Sequence, residues 1–189
     1  MKQYFVDIDE TLIFTKAKIH IIKNNKIIRK LSNREYNAYS LQQGESYDFV
    51  EFTSTKIFTE TSQPNLTMIK VLEKISKETK NIALLTARRD FDDKKSLLKY
   101  LRTHKINVGH YRDGQIHIIR SGNITNKRTN TAQAKIKMID NIVKKNPKIT
   151  EIVIYDDCIK NLNAVKQYAL EKGLKSSTFK VKEGNINLV

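Results

Sequence analysis

The chain has 189 residues, of which 39% are hydrophobic and 29% charged, with 35 basic residues against 20 acidic and a net charge of +15. That length and balance describe a soluble globular chain able to bury a core without staples, and exclude a disordered or fibrous one. A lone Cys158 excludes a disulfide framework, and no Cys/His group has zinc-site spacing.

Residues Tyr4 to Ile8 form a short apolar strand that runs directly into acidic residues. A hairpin follows, His20-Ile21-Ile22 and Ile27-Ile28 around a Lys23-Asn24-Asn25-Lys26 turn. Residues 32–63 show no firm periodicity, and short helices or an ordered loop are equally compatible with them. Met68, Val71, Leu72 and Ile75 recur at helical spacing and predict a helix from about Pro64 to Lys77. The buried-looking strand Ile82-Ala83-Leu84-Leu85 ends in Thr86. Next comes a helix with Asp92 and Asp93 in its first turn and Leu97, Leu98 and Leu101 on one face.

From Asn107 to Thr131 the pattern is polar and broken, with a hairpin-type turn at Asp113-Gly114 before Gln115 to Ile119. Ile136, Ile139 and Val143 mark a third helix. The strand Ile152 to Tyr155 ends in Asp156-Asp157, a fourth helix carries Leu162, Val165 and Ala169 and stops at Gly173, and Ser177 to Val181 is a last strand. Short apolar strands alternating with helices argue for an α/β fold with a parallel sheet covered on both faces. One domain over residues 1–189 is expected, with a small insert at about 13–63. No run approaches the roughly 18 apolar residues of a membrane span. The strand-like start leaves no room for a signal peptide, so the cytosol is the expected compartment and no membrane partner is expected.

Three strands end in residues with chemical potential: Asp7/Asp9, Thr86 and Asp156/Asp157. Ligand crevices of open α/β sheets lie beyond the carboxyl ends of the strands. A carboxylate such as Asp7 can attack phosphorus to give an aspartyl-phosphate. A second acid two residues on, Asp9, can protonate the leaving oxygen and then activate water. Two acids repel a phosphate dianion, so a cation is required, and Mg²⁺ held by Asp7, Asp9, Asp156 and Asp157 suits that need. Thr86, Lys135 or Lys137, and Arg88 are candidate donors to the phosphoryl oxygens.

The segments Phe5-Val6-Asp7-Ile8-Asp9-Glu10-Thr11-Leu12, Leu84-Leu85-Thr86-Ala87-Arg88 and Ile154-Tyr155-Asp156-Asp157 resemble the first, second and fourth motifs of the haloacid dehalogenase superfamily. A helix-start lysine about 20 residues before the acidic pair would be the third; Lys135 is favoured over Lys137 because it leaves the face beginning at Ile136 intact. The resemblance implies a Rossmann-like three-layer α/β sandwich with a mostly parallel central sheet and only small cap inserts. It also implies a Mg²⁺-dependent phosphatase with Asp7, Asp9, Thr86 and Lys135 catalytic and Thr11 and Arg88 binding substrate. Within the superfamily the chain is most similar to the 3′-phosphatase half of phage-type polynucleotide kinase/phosphatases, which implies nucleic-acid 3′-phosphate ends as substrate. No GxxxxGK[ST] loop accompanies it, so no kinase half is expected. The Lys/Asn/Ile-rich composition and phosphatase-only layout point to a bacteriophage source.

Residues 102–137 carry eight Lys/Arg (Arg102, Lys105, Arg112, Arg120, Lys127, Arg128, Lys135, Lys137) against the single acid Asp113, a stretch able to track a phosphate backbone. A small-molecule phosphatase or nucleotidase is the alternative, as is a low-turnover nucleic-acid-binding protein on the same scaffold. Tyr47, Phe49, Phe52 and Phe58 are read as core, with base stacking as the alternative. His20, His104, His110 and His117 lack ligand spacing and are expected at the surface or in loops.

Overall fold

A computed structural model describes residues 1–109, 115–124 and 130–189. The Asp113-Gly114 turn, His110, Arg112, Lys127 and Arg128 lie outside the described residues. In chain order the elements begin with β1 (Lys2–Val6), β2 (Ile13–Phe14), β3 (Ile19–Lys23), β4 (Lys26–Leu31), α1 (Asn33–Ala38), β5 (Glu45–Asp48), α2 (Val50–Thr53), α3 (Thr55–Thr61) and β6 (Gln63–Pro64). They continue with α4 (Leu66–Glu78), β7 (Ile82–Thr86), α5 (Lys94–Thr103), β8 (His117–Arg120), α6 (Thr131–Lys145), β9 (Glu151–Asp156), α7 (Ile159–Glu171), β10 (Lys175–Lys182) and β11 (Asn185–Leu188).

The central sheet has the order β11-β10-β9-β1-β7-β8. All neighbours are parallel except β11, which closes the edge antiparallel to β10. Side-chain alternation splits the sheet into two faces. Val6, Leu84, Val153 and Tyr155 pack with Met68, Leu72 and Ile75 of α4 and Leu97 and Leu101 of α5. Phe5, Ala83, Leu85, Ile152 and Ile154 pack with Ile139 of α6 and Leu162, Val165 and Tyr168 of α7. Helices thus cover both faces, which is why β7 reads as an unbroken apolar run with every residue buried.

The chain runs from β1 to β7 and β8 on one side, then returns to β9 on the other side of β1. That reversal makes the carboxyl ends of β1 and β9 the topological switch point, where a crevice opens between diverging connections. Both ends carry the sequence's acidic pairs.

Between β1 and α4 lies the insert. Its base is tied by the ladder Ile13↔Pro64 and Phe14↔Gln63. A three-stranded sheet of order β4-β3-β5 forms its body. The β3–β4 turn places Asn24 and Asn25 at φ of 50° and 58°, the paired left-handed conformation of a tight hairpin, which asparagine tolerates. Ile19, Ile21 and Leu31 make its own small core, backed by Tyr36, Tyr39, Tyr47 and Phe52.

Residues 32–63 take the short-helix alternative, forming α1, α2 and α3 with the strands β5 and β6, each too short to leave a legible period. Expectations at other residues are corrected. Asp93 is the N-cap of α5, accepting from the Lys95 and Ser96 amides, and Asp92 accepts from the Thr55 amide. The edge strand β11 was not expected from the sequence. His20 is buried in β3, its Nε2 2.7 Å from Glu51 Oε1, so it locks the hairpin to α2. Among the described residues no helix is long and apolar enough to cross a membrane.

Candidate active site and metal centre

Asp7 follows β1 directly, and its amide donates to the Tyr155 carbonyl at 2.9 Å, pinning the end of β1 to β9. The chain then turns tightly, with the Leu12 and Ile13 amides both donating to the Ile8 carbonyl. Glu10 takes a φ of 56° within this turn, a left-handed conformation uncommon for a non-glycine residue. The Glu10 carboxylate accepts from the Thr15 amide and from Asn33 Nδ2, both at 3.3 Å. The turn is thereby tied to the insert.

Lys135, in the first turns of α6, is 2% exposed and donates to Asp7 Oδ1 at 2.8 Å and Asp156 Oδ2 at 2.6 Å. Lys137 is exposed instead. The geometry therefore selects Lys135 as the lysine in contact with Asp7. Asp156 also accepts from Asn161 Nδ2 on both oxygens and from the Cys158 amide. With those oxygens engaged, Asp156 holds Lys135 from behind, while Asp7 and Asp157 line the cavity.

Ligand oxygens of Asp7, Asp156 and Asp157 lie within 4.8 Å of one another. Three carboxylates against one ammonium leave a formal excess of two negative charges. Burial pushes the Asp7 carboxyl well above the usual carboxylate range; Lys135 opposes the shift, and the other acids add to it. Burial and then Asp156 push Asp157 up to about 7. For Lys135, burial disfavours the charge, but Asp156 and Asp7 outweigh it and raise the pKa. An all-oxygen donor set with two surplus charges fits a hard divalent cation such as Mg²⁺. Asp9 is outside this trio: its carboxylate is held by Arg88.

Arg88 is 3% exposed and grips Asp9 with Nε at 3.0 and 2.9 Å to the two oxygens and Nη2 at 2.6 Å to Oδ1. Its remaining donors go to the Phe52 carbonyl at 2.8 Å and Thr15 Oγ1 at 3.1 Å, and Phe52, Phe58 and Phe91 enclose the guanidinium. Arg88, expected to bind substrate, thus has its donors committed to positioning Asp9 and anchoring the insert. Thr11 is fully buried, its Oγ1 without a partner among the described residues, and it does not line the cavity. Thr86 is 1% exposed; its Oγ1 accepts from the Arg88 amide at 3.1 Å and braces the loop.

The crevice is a cavity of about 320 Å³. Its floor is Asp7, Asp9, Lys135 and Asp157, and part of its wall is the insert's Tyr36, Tyr47, Phe49 and Phe52. Sequence reasoning missed three contributors. Asn161 sits one turn into α7, where its spacing from Asp156 was the available signal. Arg89 is exposed at the cavity edge and, among the described residues, has no ion pair with an acid; a second arginine beside Arg88 was its signal. Gly122 packs under the loop so closely that a Cβ would overlap the Ala87 carbonyl and the Arg88 backbone. Gly122→Ala is therefore expected to cost about 1–3 kcal/mol, read by melting temperature. An unchanged melting temperature contradicts the tight packing.

Raised carboxyls make the cation's effect depend on pH. Asp7 and Asp157 hold protons more tightly folded than unfolded, so their contribution to stability falls as pH rises from about 4 towards the Asp157 value of about 7. A cation binds the deprotonated form and reverses that loss. The gain in melting temperature on adding Mg²⁺ should accordingly be larger at about pH 8 than at about pH 5.5. An equal gain at both, or no gain, removes the cation from these residues.

No family model, curated protein or solved structure matches the chain.

Proposed function

We propose that the chain is a Mg²⁺-dependent phosphomonoester hydrolase of haloacid dehalogenase type acting on phosphorylated nucleotides or nucleic-acid 3′ ends. The observation that carries this reading is the placement of Asp7 and Asp9 at the switch-point crevice, with Lys135 bridging Asp7 to Asp156. Asp7 attacks phosphorus, the ester P–O bond breaks, and the departing oxygen takes a proton from Asp9. Asp9 then takes a proton from water as that water attacks the aspartyl-phosphate, releasing inorganic phosphate and restoring Asp7. Asp7, Asp156 and Asp157 would hold the Mg²⁺, which would neutralise negative charge as the phosphoryl group is transferred. Asp156 and Asn161 keep Lys135 aimed at Asp7, and Arg88 keeps Asp9 in place.

With Arg88 committed, the exposed Arg89 is, among the described residues lining the cavity, the guanidinium left to meet substrate anion. Arg89→Ala should raise KM roughly tenfold while leaving kcat and melting temperature nearly unchanged. A fall in kcat alone would assign Arg89 elsewhere. The insert lining the cavity favours a single nucleotide unit over a duplex end, which also gives the nucleotidase reading an observation in its favour. The test is phosphate release, with Mg²⁺ or with EDTA, from a 3′-phosphorylated oligonucleotide, a 5′-phosphorylated one, nucleoside monophosphates and a small generic ester. Cation-dependent release from any of these supports the hydrolase. No release from all of them would favour a binding protein on the same scaffold.

A further inference from the structure

We propose that the aromatic face of the insert is a stacking subsite for a nucleobase on the leaving-group side of the substrate, with Phe49 as its main contact. This rests on the phosphohydrolase reading for its purpose, although its test does not.

The sequence left Tyr47, Phe49, Phe52 and Phe58 as one group, and the structure divides it. Phe58 is fully buried beneath the catalytic loop with Phe91, at 5.3 Å between ring centroids. The other three join Tyr36 in one wall of the cavity whose floor holds Asp7 and Asp9. Tyr36 meets Tyr47 edge-on at 4.8 Å and Phe49 edge-on at 5.7 Å, and Phe49 meets Phe52 at 6.3 Å. Tyr36, Tyr47 and Phe52 back onto Ile19, Ile21 and Leu31, so their packing explains their presence. Phe49 belongs to no core cluster and is 41% exposed.

The wall is fixed in place. The Tyr47 hydroxyl donates to the Tyr39 carbonyl at 3.0 Å. The Phe52 carbonyl accepts from Arg88 at 2.8 Å, and the Phe52 ring lies 4.5 Å from that guanidinium. A rigid aromatic surface loses little conformational freedom when a flat ring lies on it. The groups that handle phosphate come from the sheet's strand ends, and the rings come from the insert. Both groups line one cavity, so a single ligand carrying a phosphate and a flat ring, such as a nucleotide, can meet both. A volume of about 320 Å³ is at the small end of ligand pockets and suits one nucleotide unit. The net charge of +15 favours an anionic ligand of this class.

The absence of tryptophan leaves 2-aminopurine fluorescence free of protein signal. The full chain carrying Asp7→Asn, which prevents turnover, is titrated with the 3′- and 5′-monophosphates of 2-aminopurine deoxyriboside. Saturable quenching by at least one isomer is expected, displaced by deoxyadenosine monophosphate and not by deoxyribose 5-phosphate. Adding Phe49→Leu should weaken binding roughly tenfold, whereas Phe49→Tyr should preserve it, with the melting temperature unchanged in both. Absence of saturable quenching with both isomers overturns the subsite, as does equal displacement by the abasic phosphate or undiminished binding by the Leu variant. Because the signal requires no hydrolysis, quenching here combined with no phosphate release by the wild-type chain would leave the subsite standing and remove the hydrolase reading.

Discussion

Asp7→Asn is expected to abolish phosphate release, by on the order of 10⁴-fold or more, while leaving the melting temperature unchanged or slightly higher. The two effects have one cause. Burial makes the charged Asp7 carboxylate costly, and its pKa is raised despite the Lys135 ammonium 2.8 Å away. Asparagine preserves shape and an oxygen acceptor for Lys135 but removes a charge that the fold holds at a cost. It also removes the proposed nucleophile, because an amide oxygen does not form the acyl phosphate. Lost activity accompanied by a large fall in stability would instead place Asp7 in a structural role.

Lys135→Met is expected to destabilise the chain by about 3 kcal/mol or more, roughly 6–12 °C in melting temperature, and to abolish turnover. Methionine fills the volume but leaves Asp7 and Asp156 facing each other without the ammonium that now bridges them at 2.8 and 2.6 Å. Both carboxyls are buried, and removing one partner of a buried ionic group costs more than the group contributes when intact. Combining Lys135→Met with Asp7→Asn should recover part of the lost stability, since the charge left unpaired is removed as well. Additive losses in the double variant would show that Lys135 acts on the fold independently of Asp7. Activity in Lys135→Met would remove the lysine from the mechanism.

Much of the core was legible because burial on both faces leaves its strands as uninterrupted apolar runs. Ile82 to Thr86 and Ile152 to Tyr155 declare themselves in this way, and the polar residues that stop them mark the crevice. The Asp7/Asp156 juxtaposition is a consequence of strand order, which adjacency in sequence does not reveal. In the insert the β3–β4 hairpin was legible from its turn, and the remainder was not, for a different reason. Its helices span 4 to 7 residues, too few turns for a periodic apolar stripe, and their stability comes from packing, α1 and α2 on Ile19, Ile21 and Leu31 and α3 on the main core through Phe58. Arg88 shows the same limit at the level of one side chain. Its position after Thr86 identified the loop, but its commitment to Asp9 depends on Phe52 and Thr15, both brought over by the insert. Helix spacing favoured Lys135 over Lys137, and the face of α6 that meets the sheet decides between them, burying Lys135 and leaving Lys137 exposed.

The most direct test of the central claim is a rapid acid quench of the wild-type chain during turnover with Mg²⁺ and a phosphomonoester it hydrolyses. Reduction with borohydride and peptide mapping then locate any acyl phosphate. Homoserine at position 7, absent from the Asp7→Asn chain and from EDTA controls, is the predicted result. Turnover without modification at position 7, or with modification at another carboxylate, would contradict the assignment of Asp7 as nucleophile.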